Sequence, residues 1–247
     1  MVFPVKFQLF GQSFHWHFIL ETLAFFAGVR LYFYLRKGIA DPVSDEDRLW
    51  IMLGAMVGAL IGSRLFAVLE APAELGQLSW AVVYQSKTIA GGLLGGLLGV
   101  ELIKKLIGVH VASGDVYVFP ILLALFVGRI GCFLMGTDEP VYGVETSWPW
   151  GMDLGDGLIR HPVALYEMAY VALMALFFYL IRERALAPGE RFKAFMILYF
   201  FWRFMVEFIK PYQPLFFGLS SIHWSALLIF LYYYRFLCRW TRKLLPL

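Results

Sequence analysis

Seven apolar runs, each close to the ~20 residues a helix needs to cross a hydrocarbon layer, set what this chain can fold into. They cover residues 14–35, 48–70, 88–107, 115–136, 162–181, 192–209 and 220–238. Lipid offers no partner to a backbone N–H or C=O, so spanning segments of this kind are helices. Hydrophobic residues make up 60% of the 247 and charged ones only 16%. A soluble core cannot hide that much apolar surface. The expected fold class is an all-α membrane protein of seven transmembrane helices, forming one domain over residues 1–247. Residues 1–10 carry one lysine and no small-residue cleavage site, so no signal peptide is expected.

Loop charges orient the chain. Arg36, Lys37, Arg48, Lys104, Lys105, Arg182, Arg184, Arg191, Lys193, Arg235, Arg239, Arg242 and Lys243 fall on one side, against Lys6, Lys87, Arg160 and Lys210 on the other. The positive-inside bias then puts the N-terminus outside and the C-terminus in the cytoplasm, which needs an odd number of spans. The net charge of +3 is small and scattered, and argues against a nucleic-acid partner. The two cysteines, Cys132 and Cys238, are far apart, so neither a disulfide framework nor a thiolate metal cluster is expected. No metal and no cofactor is called for.

Four basic residues remain, all inside the runs: Arg30, Arg64, Arg129 and Arg203. Arg30 is near enough to the cytoplasmic end of its run to snorkel. The others need a reason, because a central arginine costs about 2.5–3.5 kcal/mol even on lenient insertion scales. Arg129 and Arg203 are expected toward the outer ends of their spans, with Arg160 and His161 at the outer interface and Arg64 nearer the middle. Guanidiniums converging on one level are unfavourable unless an anion neutralises them, and arginine grips a phosphate bidentately. A cavity for a phospholipid phosphate is therefore the expectation, although Arg203 and Glu207, at i,i+4, also read as a structural ion pair.

Other features sort around these. Gly54, Gly58 and Gly62 form a small-residue stripe for close helix contact, as do Gly95 and Gly99. The pair Gly91–Gly92 at a helix start can also offer backbone N–H groups to an anion. Residues 137–160, rich in Asp, Glu, Gly and Trp, read as an outer-face cap ending in Arg160-His161-Pro162. Cys132, three residues after Arg129, has two open readings: a thiolate made reactive by the guanidinium, or a small buried hydrophobe. Hydrolase, zinc-protease and nucleotide-loop motifs are absent from the sequence. Transfer of a lipid fragment, with phosphate leaving and arginines stabilising its charge, is the chemistry these groups suggest.

The same residues carry a resemblance. Gly128-Arg129-Ile130-Gly131-x-Phe133-x-x-Gly136, Arg160-His161-Pro162-x-x-Leu165-Tyr166-Glu167 and Arg203-Phe204-x-x-Glu207-Phe208 resemble the bacterial prolipoprotein diacylglyceryl transferase family. Gly62-Ser63-Arg64 and Gly91-Gly92-Leu93 fit in the same order. The resemblance implies a multi-pass enzyme of the bacterial inner membrane that moves the diacylglyceryl group of phosphatidylglycerol onto a lipoprotein signal-peptide cysteine and releases glycerol phosphate. It assigns chemistry to Arg129 and Arg203. Cys132 and His161 join them as candidates for the reacting centre, and Arg64, Gly91, Gly92, Gly143, Arg160, Tyr166, Glu207 and His17 as candidates for substrate binding.

The chain also departs from the family pattern. Ala90 stands where the family has His, Cys132 and Met135 where it has Asn, Thr137 where it has Glu, and His17 where it has Tyr. Extra residues lie between Gly136 and Gly143. Ala90 cannot shuttle a proton, so the protein either uses another base, with His17 and His161 as candidates, or does something else. Three readings follow: the family reaction with a rearranged base, the same donor with another thiol or hydroxyl acceptor and Cys132 as a covalent relay, or a phospholipid-binding protein without catalysis.

Overall fold

The computed structural model describes residues 3–37, 43–70, 83 and 86–244, with the side chains of Leu9 and of residues 240–244 left aside. A hairpin of β1 (Lys6–Leu9) and β2 (Gln12–His15) opens the chain. Its two-residue turn has Phe10 and Gly11 both at positive φ, the geometry that matches the twist of paired strands. Eight α-helices follow among the described residues: α1 (Trp16–Arg36), α2 (Asp45–Glu70), α3 (Ile89–Ile107), α4 (Val118–Met135), α5 (Val163–Leu180), α6 (Glu190–Glu207), α7 (Ser221–Tyr232) and α8 (Tyr234–Leu244). Between α4 and α5, β3 (Met152–Asp153) pairs antiparallel with β4 (Ile159–Arg160).

All seven apolar runs coincide with helix. Four of these segments, at Trp16–Arg36, Asp45–Glu70, Asp115–Asp138 and Val163–Leu180, are long and apolar enough to cross a membrane by length and composition. Their outward faces carry Phe18, Phe25, Phe26, Leu60, Ile61, Leu173 and Leu180, all exposed, as lipid contact requires. The molecule is thus a mostly helical membrane protein. α3 and α6 hold more charge, at Glu101, Lys104 and Lys105 and at Glu190, Arg191, Lys193, Arg203 and Glu207. The seventh run departs from a single span. α7 stops at Tyr232 because the Tyr233 N–H is shared between the carbonyls of Ile229 and Leu231, and α8 restarts at Tyr234.

The chain folds as two compact units, each built from separated stretches of sequence. In the first (residues 1–40, 114–192 and 208–211), α4 packs against α1 and α5. The close approach of α1 and α4 rests on small residues, since a Cβ at Gly28 would lie 3.1 Å from the Pro120 carbonyl and one at Gly131 3.1 Å from His17 Nδ1. Tyr32 and Tyr117 stack with ring centres 4.7 Å apart at the other end of α1. Asp115 accepts the N–H groups of Gly189 (2.6 Å) and Phe192 (2.8 Å), satisfying donors at the start of α6.

In the second unit (residues 41–113, 193–207 and 212–247), α2 and α3 are in backbone contact along their lengths. A methyl group added at Gly58 would run into the carbonyl of Gly95, one at Gly62 into that of Gly91, and one at Gly99 into that of Gly54. No other residue permits that approach, and in lipid such packing replaces the absent hydrophobic drive. Thr88 caps α3, its hydroxyl accepting the Gly91 N–H at 3.0 Å, and Gly108 ends it at φ 73.

Candidate active site

In the first unit, the buried stripe of α4 runs through Val118, Leu122, Leu125, Arg129 and Cys132, a helical spacing that carries a guanidinium and a thiol into the interior. Arg129 is 5% exposed and donates from Nη2 to Glu167 Oε1 of α5 at 2.9 Å, where Glu167 is 1% exposed. The charge that made Arg129 improbable in lipid is thus balanced by a carboxylate 38 residues on. Its other amino group, Nη1, reaches Cys132 Sγ at 3.5 Å. Glu167 entered the sequence reading only inside a motif. Its role as counter-charge depends on α4 meeting α5, which no local spacing encodes.

His17, in the first turn of α1, faces the same place. Its Nε2 lies 3.2 Å from Glu139 and 3.7 Å from Glu21. Cys132 and Glu139 each offer a ligand-type atom within 4.8 Å of the others and of the His17 ring. A small cavity of about 10 Å³, room for one water, adjoins Cys132 between Val141, Tyr142, Pro162 and Val163. An apolar groove of about 330 Å³, lined by Leu31, Phe119, Leu123, Phe126 and Val171, runs from one turn before Arg129 toward the start of α4.

The cap residues are held by one another. Arg160 donates to Asp156 at 2.7 Å and lies over the Tyr142 ring at 5.0 Å. The Arg160 hydrogen bond holds the exposed Asp156 carboxyl below the usual carboxylate range. His161 Nδ1 is 3.1 Å from the Tyr166 hydroxyl, and its ring meets Trp148 edge-on. The Gly143 N–H donates to the His161 carbonyl at 2.9 Å, and a Cβ there would strike His161 and crowd the Ile209 carbonyl, so close packing requires this glycine.

The second unit holds the other cluster. Arg203 (6% exposed) and Glu207 (2% exposed) pair at 3.5 Å, so the i,i+4 ion pair is present. Glu207 also accepts from the Ser220 hydroxyl at 3.1 Å. That hydroxyl takes the His223 N–H (3.4 Å), while His223 Nδ1 takes the Ser220 N–H at 3.1 Å, a capping box at the start of α7. Ser220 and His223 carried no motif in the sequence and were missed there. Arg64 donates to the Ser86 carbonyl at 2.6 Å. Gly91 spends its N–H on Thr88 and its open face on Gly62, which accounts for it by packing. Gly92 has open contacts of 3.8 Å with Ala59 and Ser63. Ala90 is buried beside them.

A family model described as prolipoprotein diacylglyceryl transferase matches residues 4–238. Curated relatives include the phosphatidylglycerol--prolipoprotein diacylglyceryl transferase of Geobacter sulfurreducens, 31% identical over 232 residues, covering 84% of this chain and 82% of the relative. The protein of the same name from Nitratidesulfovibrio vulgaris is 30% identical over 220 residues, covering 84% and 81%. That from Campylobacter curvus is 30% identical over 251 residues, covering 92% and 90%.

Proposed function

Because the chain belongs to the prolipoprotein diacylglyceryl transferase family, whose members are transferases, we propose that it moves the diacylglyceryl group of phosphatidylglycerol onto a prolipoprotein cysteine. The reaction takes place at the outer leaflet of the bacterial inner membrane, with seven spans, the N-terminus outside and the C-terminus in the cytoplasm. The observation that carries this reading is the extent of the family match, which takes in the Arg129, Arg160–Glu167 and Arg203–Glu207 segments together.

In the reaction the acceptor sulfur forms a bond to the terminal glycerol carbon of the diacylglyceryl group. The carbon–oxygen bond to phosphate breaks, and glycerol phosphate leaves with the electron pair. The thiol proton must go to a base. Arg129, fixed by Glu167, is suited to stabilise charge on the departing phosphate, since a donor already oriented in a dry site needs no reorganisation. The family resemblance also assigns phosphate contact to Arg203, with Arg64 and Glu207 in support. His17 and His161 are the candidate bases, and the apolar groove beside α4 is suited to an acyl chain.

Cys132 and His17, in place of the family's Asn and Tyr, favour a second reading in which the donor is kept and another thiol or hydroxyl is the acceptor. Expression in bacteria depleted of their own transferase separates the two. Rescue of growth, with lipoproteins gaining the mass of a diacylglyceryl group, is the expected outcome. Abundant membrane-inserted protein without rescue would remove the prolipoprotein as acceptor.

A further inference from the structure

His17 in the first turn of α1, Cys132 near the end of α4 and Glu139 just after that helix bring their side chains to one point of the first unit, with ligand-type atoms within 4.8 Å of one another. We propose that His17, Cys132 and Glu139 form a binding site for a divalent transition-metal ion of the zinc type.

The donor set is one imidazole, one thiolate and one carboxylate, the mixture a borderline-soft ion takes. In a tetrahedral shell with bonds of about 2.0–2.3 Å, ligand atoms stand roughly 3.3–3.8 Å apart. The His17–Glu139 separation of 3.2 Å is close to that spacing, and the Cys132 sulfur lies within 4.8 Å of both groups. Three protein ligands leave a fourth position for water or a phosphate oxygen, the pattern of a zinc centre that does chemistry rather than one that only holds structure.

The imidazole is the second line of support. Both ring nitrogens of His17 are shielded from solvent and make no hydrogen bond among the described residues, because the approach to Glu139 is out of line for one. A buried polar atom left unsatisfied in this way is costly, and a metal would use it. Charge also balances. The thiolate and the Glu139 carboxylate cancel a dication, and the neighbouring Arg129 is itself cancelled by Glu167. Glu21, half exposed at 3.7 Å from the ring, adds a further negative group on the same side. The site stands on this geometry and does not depend on which acceptor the protein uses.

Cobalt(II) reports such a site directly, since a thiolate ligand gives it a charge-transfer absorption and a four-coordinate shell gives intense visible bands. The full chain, purified in detergent and stripped with chelator, is titrated with Co²⁺ and then with Zn²⁺. Both band systems are expected, with displacement by Zn²⁺ at one equivalent. Cys132→Ser removes the charge-transfer band, and His17→Ala and Glu139→Gln each weaken Co²⁺ binding by at least about tenfold. Cys238→Ser leaves all of it intact. Glu139→Gln, on the part-exposed ligand, keeps the test valid should a core variant fail to fold. Absence of a Cys132-dependent band in well-folded protein overturns the proposal, as does a band that follows Cys238. The three side chains would then be an ion contact beside a packed thiol.

Discussion

Arg129 is tolerable inside a membrane helix because Glu167 meets it at 2.9 Å with both groups shielded from water. Pairs of this kind contribute little net stability, because desolvation offsets their attraction, but removing one partner strands a buried charge. Glu167→Gln is therefore expected to destabilise the protein by about 3–5 kcal/mol, seen as a lower melting temperature in detergent. Replacing the pair by Arg129→Met with Glu167→Leu restores most of that stability while abolishing transfer. Additive losses in the double variant would show that the two residues act independently. The sequence predicted that Arg129 needs a negative partner, and the phosphate it suggested was not the first one available. The carboxylate sits on another helix, where contact depends on tertiary packing. Arg203 and Glu207 were legible as a pair because four residues is one helical turn.

Elements were the most readable level. Every apolar run falls on helix, and the ends agree within a few residues, since twenty apolar residues in lipid have one economical backbone. The break at Tyr233 was not legible, for neither Pro nor Gly marks it. The α2–α3 glycine stripe was read correctly as a packing device, and its cost can be measured. Gly58→Leu or Gly95→Val would force apart backbones in contact, with an expected loss exceeding the ~1–3 kcal/mol of ordinary overpacking and a marked fall in folded yield. Gly96→Ala, whose added methyl meets Ala55 and Ala59 at 3.5 Å or more, is expected to fold normally. The cap behaves differently because its charges face water. Asp156 has its folded pKa lowered by Arg160, so its contribution to cap order is present above the unfolded carboxylate value of about 3.9 and is lost as pH falls through the folded one. Hydrogen exchange over residues 152–160 is expected to hold steady from neutral pH to about 5 and to quicken, after correction for intrinsic rates, only in stronger acid; Asp156→Asn should remove that acid transition.

At the scale of the molecule, the chain crosses five times between two compact units, one holding Arg129, Glu167, Cys132 and His17 and the other Arg203, Glu207, Ser220 and His223. Contiguous sequence could not reveal this interleaving, whereas the arginine motifs did point to the family that spans both units. The proposed activity draws on that family and on Arg129, a fixed guanidinium in a dry interior. The most direct measurement is transfer itself, with purified protein in vesicles of labelled phosphatidylglycerol and a lipoprotein signal peptide bearing its cysteine. A peptide heavier by one diacylglyceryl group and one glycerol phosphate released for each are the expected products, with Arg129→Gln slowing both by about 10²–10³-fold. Wild-type protein that binds phosphatidylglycerol yet yields neither product would contradict the proposed activity.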